Sequence, residues 1–133
     1  MKKDTYVKKI NEFRDIRGSL LPLQFDELSF LPKRIFFVKD VPKDVIRGEH
    51  AHYVTKQLLI CVTGKILVGL FDGKSEKEFI IQSGESIMIE NMIWDYQKFL
   101  SEDSVLLVLC STQFDENDYI GDIDEFKRLV NDG

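Results

Sequence analysis

The chain has 133 residues, 44% of them hydrophobic and 31% charged, with a net charge of −5. That describes one soluble globular domain able to bury a real core. No apolar run approaches the roughly 20 residues of a spanning helix, and no basic stretch exceeds short pairs. Nucleic acid and anionic membrane surfaces are therefore poor partners, although local arginines can still hold a small anion on an acidic protein.

In chain order, the start Met1-Lys2-Lys3-Asp4-Thr5 is basic, but no apolar segment follows it. No signal peptide is expected, and the expected location is the cytoplasm. Short β-prone segments then recur at residues 6–10, 20–24, 34–38, 50–52, 57–63, 65–71, 78–81, 86–90, 94–99 and 105–111. Turn signals separate several of them: Thr63-Gly64-Lys65, Phe71-Asp72-Gly73-Lys74 and Ser83-Gly84-Glu85. Many short strands with polar turns predict an all-β antiparallel sandwich or barrel in a single domain spanning 1–133. Cys61 and Cys110 lie within apolar segments and are expected to be buried, reduced thiols. The acidic run from Asp115 to Asp124 reads as a solvated turn anchored by Tyr119. A short helix follows, capped by Asp122 or Asp124, with Phe126, Leu129 and Val130 on its apolar face.

Both histidines of the chain sit together in Arg47-Gly48-Glu49-His50-Ala51-His52. A strand has a period of two, so His50 and His52 point to one side of a sheet. Two imidazoles on one face suit metal binding or proton transfer near neutral pH. Phe36, Phe37, Phe71 and Phe99 read as core. Gln57 reads equally as satisfying buried backbone or touching a ligand, and Trp94 as core filling or a pocket wall. Arg34 reads equally as an edge-strand cation or a phosphate contact.

The spacing of His50, His52, Gln57 and Gly64, with a second block from Gly84 to Trp94-Asp95, resembles the two-motif pattern of the cupins. Those are jelly-roll double-stranded β-helices. Gln57 stands where the pattern has Glu, and Asp95 where it has His. The blocks Arg17-Gly18-Ser19-Leu20, Lys33-Arg34-Ile35-Phe36-Phe37, Arg47 to His52, Gln57 to Cys61, and Asp115 to Ile120 occur in an order similar to that of the WxcM-like cupins, the dTDP-sugar 3,4-ketoisomerases. The resemblance covers nearly the whole chain.

The resemblance implies an isomerase that moves the ketone of dTDP-4-keto-6-deoxy-D-glucose from C4 to C3. Its product would feed an aminotransferase making a 3-amino-3,6-dideoxy sugar for surface glycans such as O-antigen. It implies no metal or other cofactor, and a homodimer that exchanges N-terminal strands around Val7-Ile10. It assigns His50 as the base at C3 and His52 as its neighbour at the sugar oxygens. Arg47 and Arg34 would contact pyrophosphate, Arg17 the pocket wall, and Gln57, Trp94 and Asp95 the substrate. Phe36-Phe37 replaces a usual Tyr pair, and Trp94-Asp95 a usual Trp-His. Arg17 in its Arg-Gly-Ser context favours the galacto over the gluco product. The alternatives are a metal-dependent cupin using His50, His52 and Asp95, and a non-catalytic sugar-nucleotide-binding cupin.

Overall fold

The computed structural model describes residues 5–132. The strands are β1 (Lys8–Lys9), β2 (Phe13–Asp15), β3 (Gly18–Leu20), β4 (Arg34–Val38), β5 (Ile46–His52), β6 (Gln57–Thr63), β7 (Lys65–Phe71), β8 (Glu76–Gln82), β9 (Glu85–Ile89), β10 (Trp94–Phe99), β11 (Val105–Cys110) and β12 (Tyr119–Ile120). One helix, α1 (Ile123–Asp132), follows. The strands form two five-stranded antiparallel sheets, ordered β1-β9-β6-β11-β4 and β12-β5-β10-β7-β8. These face each other as an open jelly roll of cupin type, as the alternating pattern predicts. No helix among the described residues is long and apolar enough to cross a membrane.

Alternation explains the layers. Leu59 and Cys61 of β6, Ile66, Val68 and Leu70 of β7, and Leu106 and Val108 of β11 are all buried in one cluster between the sheets. Leu58, Ile60 and Leu109, on the opposite face of the first sheet, bury against Ile10, Leu23, Leu28 and Phe30 of the N-terminal segment. The second sheet is covered locally by α1, where Phe126 packs with Ala51, Trp94 and Ile120. Asp122 caps α1: its Oδ1 accepts from the backbone N–H of Asp124 at 2.8 Å. Val130 joins the packed cluster, but Leu129 is 38% exposed and does not share the buried face.

Several elements differ from expectation. The segment 20–24 is not a strand; Phe13–Asp15 and Gly18–Leu20 form a separate two-stranded hairpin paired to neither large sheet. Strand β5 begins four residues before His50. Tyr119–Ile120 is a strand rather than part of a turn, and it pairs with β5. Phe37 is 61% exposed on the outer face of edge strand β4, so it is not core. Cys61 and Cys110 are free and buried. Burial pushes the Cys61 thiol up to about 12, which leaves it unreactive.

Gly64 closes the β6–β7 turn with a φ of 90°, and an added Cβ would stand 2.5 Å from Ser104 Cα. Gly64→Ala should therefore cost about 2 kcal/mol or more, from backbone strain and a backbone clash together. Urea unfolding of the variant against the parent checks this; an unchanged midpoint would contradict the turn geometry.

Candidate active site

Strand β5 runs antiparallel to β10, with His50 opposite Asp95, Gly48 opposite Tyr96 and Arg47 opposite Gln97. The register slips by one residue between Asp95 and Tyr96, leaving Glu49 as the extra residue on β5. Glu49 has a φ of 60° and Gly48 of 88°. This is a β-bulge, which inserts one residue and re-aims the strand. In a regular strand Arg47 and His50, three apart, would face opposite sides. The inserted residue puts both toward the interior, facing Asp95 and Gln97. Glycine is required at 48, because an added Cβ would lie 3.2 Å from Tyr96 Cα and 3.3 Å from the Asp95 carbonyl oxygen.

These groups line a cavity of about 90 Å³ between the sheets, walled also by Phe36 of β4, Gln57 of β6 and Tyr119 of β12. At about 30 Å³ per water, that space holds roughly three waters. It suits part of a small ring, so a nucleotide would have to lie across its mouth. Larger surface grooves of about 430 and 390 Å³ lie beside β9 and hold no histidine. The chemistry therefore concentrates in the smaller interior space.

The His50 and His52 ring centroids are 4.8 Å apart, and the Tyr119 ring lies 5.1 and 4.5 Å from them. Tyr119 is held there by β12, where it pairs with His52. The preceding Asp118 fixes that strand by accepting from the Val54 N–H at 2.8 Å, the Thr55 N–H at 3.2 Å and the Thr55 hydroxyl. Burial holds the His50 imidazole below its ordinary value, against the hydrogen bond it donates to the Gly48 backbone. Burial first, then the charges of His50 and Arg34, pull His52 down to about 4, against the pull of Asp118. Burial pushes Asp95 up to about 7, against the Gln97 amide, which donates to its Oδ1 at 2.6 Å. Near neutral pH both imidazoles are thus uncharged bases. His52 Nε2, Asp95 Oδ2 and Arg34 Nε are buried without a hydrogen-bond partner among the described residues. Native interiors satisfy almost all such atoms, so the cluster has hydrogen-bonding capacity to offer a ligand.

The other site candidates fall in different places. Gln57 lines the cavity and its amide donates to Cys110 Sγ at 3.5 Å, a side-chain sulfur and not a backbone group. Arg47 lines the cavity and is exposed, with no ion pair among the described residues. The Arg34 guanidinium sits 5.7 Å from the Phe36 ring centroid and 5.5 Å from that of Phe114, stacked beside the site. Arg17 is not in the wall of this cavity: it lies on the exposed β2–β3 hairpin, 2.6 Å from Asp15 Oδ2. Trp94 is not a pocket wall either. Its neighbour Asp95 faces inward, so Trp94 faces outward and packs 5.9 Å from Phe126 beneath α1. Phe36 and Phe99, read as core, both line the cavity. Gln97 and Tyr119 are the groups that sequence reasoning passed over. Gln97 was reachable by counting two from Asp95 along a strand.

The ligand atoms of His50, His52 and Asp95 lie within 4.8 Å of one another. An ion with bonds of about 2.1 Å would draw neighbouring ligands to roughly 3 Å apart. The trio would have to contract to hold one. Two imidazoles and a carboxyl group at this spacing also have the chemistry to take up and release protons.

The chain is similar to known proteins over nearly its whole length. A family model described as "FdtA: WxcM-like, C-terminal" matches residues 3–131. A TDP-4-oxo-6-deoxy-alpha-D-glucose-3,4-oxoisomerase from Aneurinibacillus thermoaerophilus is 33% identical over 118 residues, covering 87% of this chain and 85% of that protein. A 3,4-ketoisomerase from Helicobacter canadensis superposes with a TM-score of 0.90 at 36% identity, covering 96% of this chain and 98% of the other. A variant of the QdtA 3,4-ketoisomerase from Thermoanaerobacterium thermosaccharolyticum, in complex with TDP-4-keto-6-deoxyglucose, gives 0.92 at 28% identity, covering 99% and 97%.

The two buried groups make opposite demands on pH. Asp95, near 3.9 when unfolded, keeps a proton in the fold up to about 7, so its contribution to stability is lost as pH rises from about 4 to 7. His52, near 6.5 when unfolded, refuses its proton in the fold down to about 4, so its contribution is lost as pH falls through that window. Asp95→Asn removes the first effect alone. Its stability should rise with pH between about 4 and 6.5 and exceed the parent's above pH 7, by on the order of 4 kcal/mol at most. Urea unfolding across this range checks it; parallel curves for the two proteins would contradict the burial of a titrating Asp95.

Proposed function

The chain belongs to the WxcM-like, FdtA family, and on that premise we propose that it is a sugar 3,4-ketoisomerase acting on dTDP-4-keto-6-deoxy-D-glucose. One observation carries the reading: His50 and Asp95 line a small interior cavity over the strand pair β5–β10, and a ring nitrogen of His52 lies within 4.8 Å of both. Moving a ketone from C4 to C3 requires loss of the C3 proton, which the adjacent carbonyl makes acidic. An enediol forms, and a proton returns at C4. His50, uncharged and facing the cavity, is the base. A positioned base of this kind contributes roughly 100- to 10,000-fold. His52 stands beside it at the sugar oxygens. Such proton transfer needs neither a redox cofactor nor a metal.

Arg47 at the cavity edge is the pyrophosphate contact supported best, because its charge is uncommitted; Arg34 sits close behind it. A dTDP group held across the mouth leaves only the sugar inside, in keeping with the size of the cavity. For the product we favour the galacto epimer, on the Arg17-Gly18-Ser19 context alone. The buried, free thiols fit a reducing cytoplasm.

We read the protein as a homodimer. The hairpin Phe13–Leu20 stands apart from both sheets with Phe13 63% and Ile16 fully exposed, and the edge strand β4 leaves Ile35 60% exposed. Exposed apolar side chains on a detached hairpin and at an open sheet edge favour pairing with a second copy. Within one chain β1 pairs with β9 through Lys8 and Ser86; strand exchange would make the same ladder between subunits.

Incubation with dTDP-4-keto-6-deoxyglucose, followed by NMR, should reveal a 3-keto product, and its C4 configuration settles the epimer. His50→Asn should lose turnover by 100-fold or more while dTDP binding persists, because nucleotide affinity rests on arginines elsewhere. Near-normal turnover of that variant would remove His50 as the base, and no product from the parent would favour a binding protein. Turnover that disappears on chelation, with stoichiometric metal in the purified protein, would favour the metal-dependent alternative. Sedimentation at micromolar concentration should give a dimer; a monomer would contradict strand exchange.

A further inference from the structure

The isomerisation moves two protons, one between carbons and one between oxygens, and His50 accounts for only the first. We propose that Asp95 is the second catalytic residue, carrying the proton from O3 to O4, with Gln97 as the residue that positions it. The inference rests on the ketoisomerase reading above and extends it to a carboxyl group at a position where the resemblance leads one to expect imidazole.

Geometry carries the assignment. Asp95 lies directly opposite His50 on the paired strands, and both line the cavity. The two carboxyl oxygens are in different situations. Oδ1 is committed, accepting from the Gln97 amide at 2.6 Å. Oδ2 is buried and has no partner among the described residues. An amide at Oδ1 thus fixes the carboxyl rotation and leaves one oxygen for a ligand. A sugar ring seated in the cavity over this strand pair would present one edge to His50 and its neighbouring oxygens to Oδ2. A ring nitrogen of His52 lies within 4.8 Å of both side chains, but His52 is held neutral and serves as a hydrogen-bonding neighbour.

The cycle balances without any further reagent. His50 takes the C3 hydrogen as a proton, and the C–H electron pair becomes the C3=C4 double bond. The C4=O π pair goes to O4, which takes the proton of the Asp95 carboxyl group. The result is the enediol with an imidazolium and a carboxylate. The carboxylate then takes the O3 proton, and that O–H pair forms the C3 carbonyl. The C3=C4 pair takes the imidazolium proton at C4. Both side chains finish as they began.

Burial supports the protonated starting state, since Asp95 titrates near 7 rather than in the usual carboxylate range. The charged and titratable groups lining the cavity with Asp95 are Arg47 and His50 from β5 and Tyr119 from β12; β6 and β10 add the neutral amides of Gln57 and Gln97. His52 is not part of that lining, but one of its ring nitrogens lies within 4.8 Å of Asp95 and His50, and Arg34 of β4 is stacked on Phe36 in the cavity wall. Gln97 stabilises the carboxylate, so its removal should raise the value further.

The test compares kcat and KM against pH for the parent, Asp95→Asn, Asp95→Glu and Gln97→Leu, with dTDP-4-keto-6-deoxyglucose as substrate. The parent's kcat should fall as pH rises through about 7. Asp95→Asn keeps the shape and removes the acid; its kcat should drop about 100-fold with a small change in KM, and the alkaline fall should vanish. Asp95→Glu should recover part of the loss. Gln97→Leu should move the alkaline fall to higher pH, which a purely structural role would not do. Retained dTDP binding shows that each variant is folded. The assignment is overturned if Asp95→Asn stays within about threefold of the parent, or if the parent's kcat is flat over roughly pH 6 to 9. Absence of any turnover by the parent overturns the ketoisomerase reading itself, and this assignment with it.

Discussion

The site depends on one irregularity in strand pairing. The bulge at Gly48 and Glu49 adds a residue to β5 against β10. Without it, alternation would send Arg47 outward whenever His50 points inward. With it, Arg47 and His50, the anion contact and the base that we propose, share one side with Asp95 and Gln97. The bulge requires two consecutive residues with positive φ, and only glycine fits at 48 because β10 runs so close. A local backbone choice thereby joins binding to chemistry.

The second constraint is burial. His52 and Asp95 lie almost wholly out of solvent, at 3% and 1% exposure. Water would hold an imidazole charged in weak acid and a carboxyl group charged at neutrality. Removing water reverses both preferences, so the imidazoles stay basic and the carboxyl group can hold a proton. The two shifts oppose each other in stability, which lets the fold carry both groups over a broad range of pH. Orphaned atoms in such a setting raise the free energy of the empty site, and a ligand that satisfies them recovers it.

The histidine pair was legible because a period of two needs no tertiary knowledge. The jelly roll was legible from the spacing of strands and turns. Trp94 was not, because its role depends on which face of β10 the helix α1 covers. That helix lies nearly thirty residues further on. The same alternation that puts Asp95 inward puts Trp94 outward, so fixing one would have fixed the other. Tyr119 escaped because a two-residue strand inside an acidic run carries no periodicity; its position comes from Asp118 bonding to Val54 and Thr55. Arg17 resembles a site residue in its local context, yet it lies on a hairpin that pairs with neither large sheet. Local motif context carries no information on where such a hairpin sits in three dimensions.

The central claim is that His50 faces the reacting carbon of a sugar held in the cavity over the β5–β10 strand pair. A crystal structure of the His50→Asn protein with TDP-4-keto-6-deoxyglucose tests it most directly. The account predicts the hexose inside the cavity, with C3 about 3 to 3.5 Å from the side chain at position 50. Asp95 Oδ2 should lie within hydrogen-bonding distance of O3 or O4. A sugar bound outside the cavity, with no ring carbon near position 50, would contradict it.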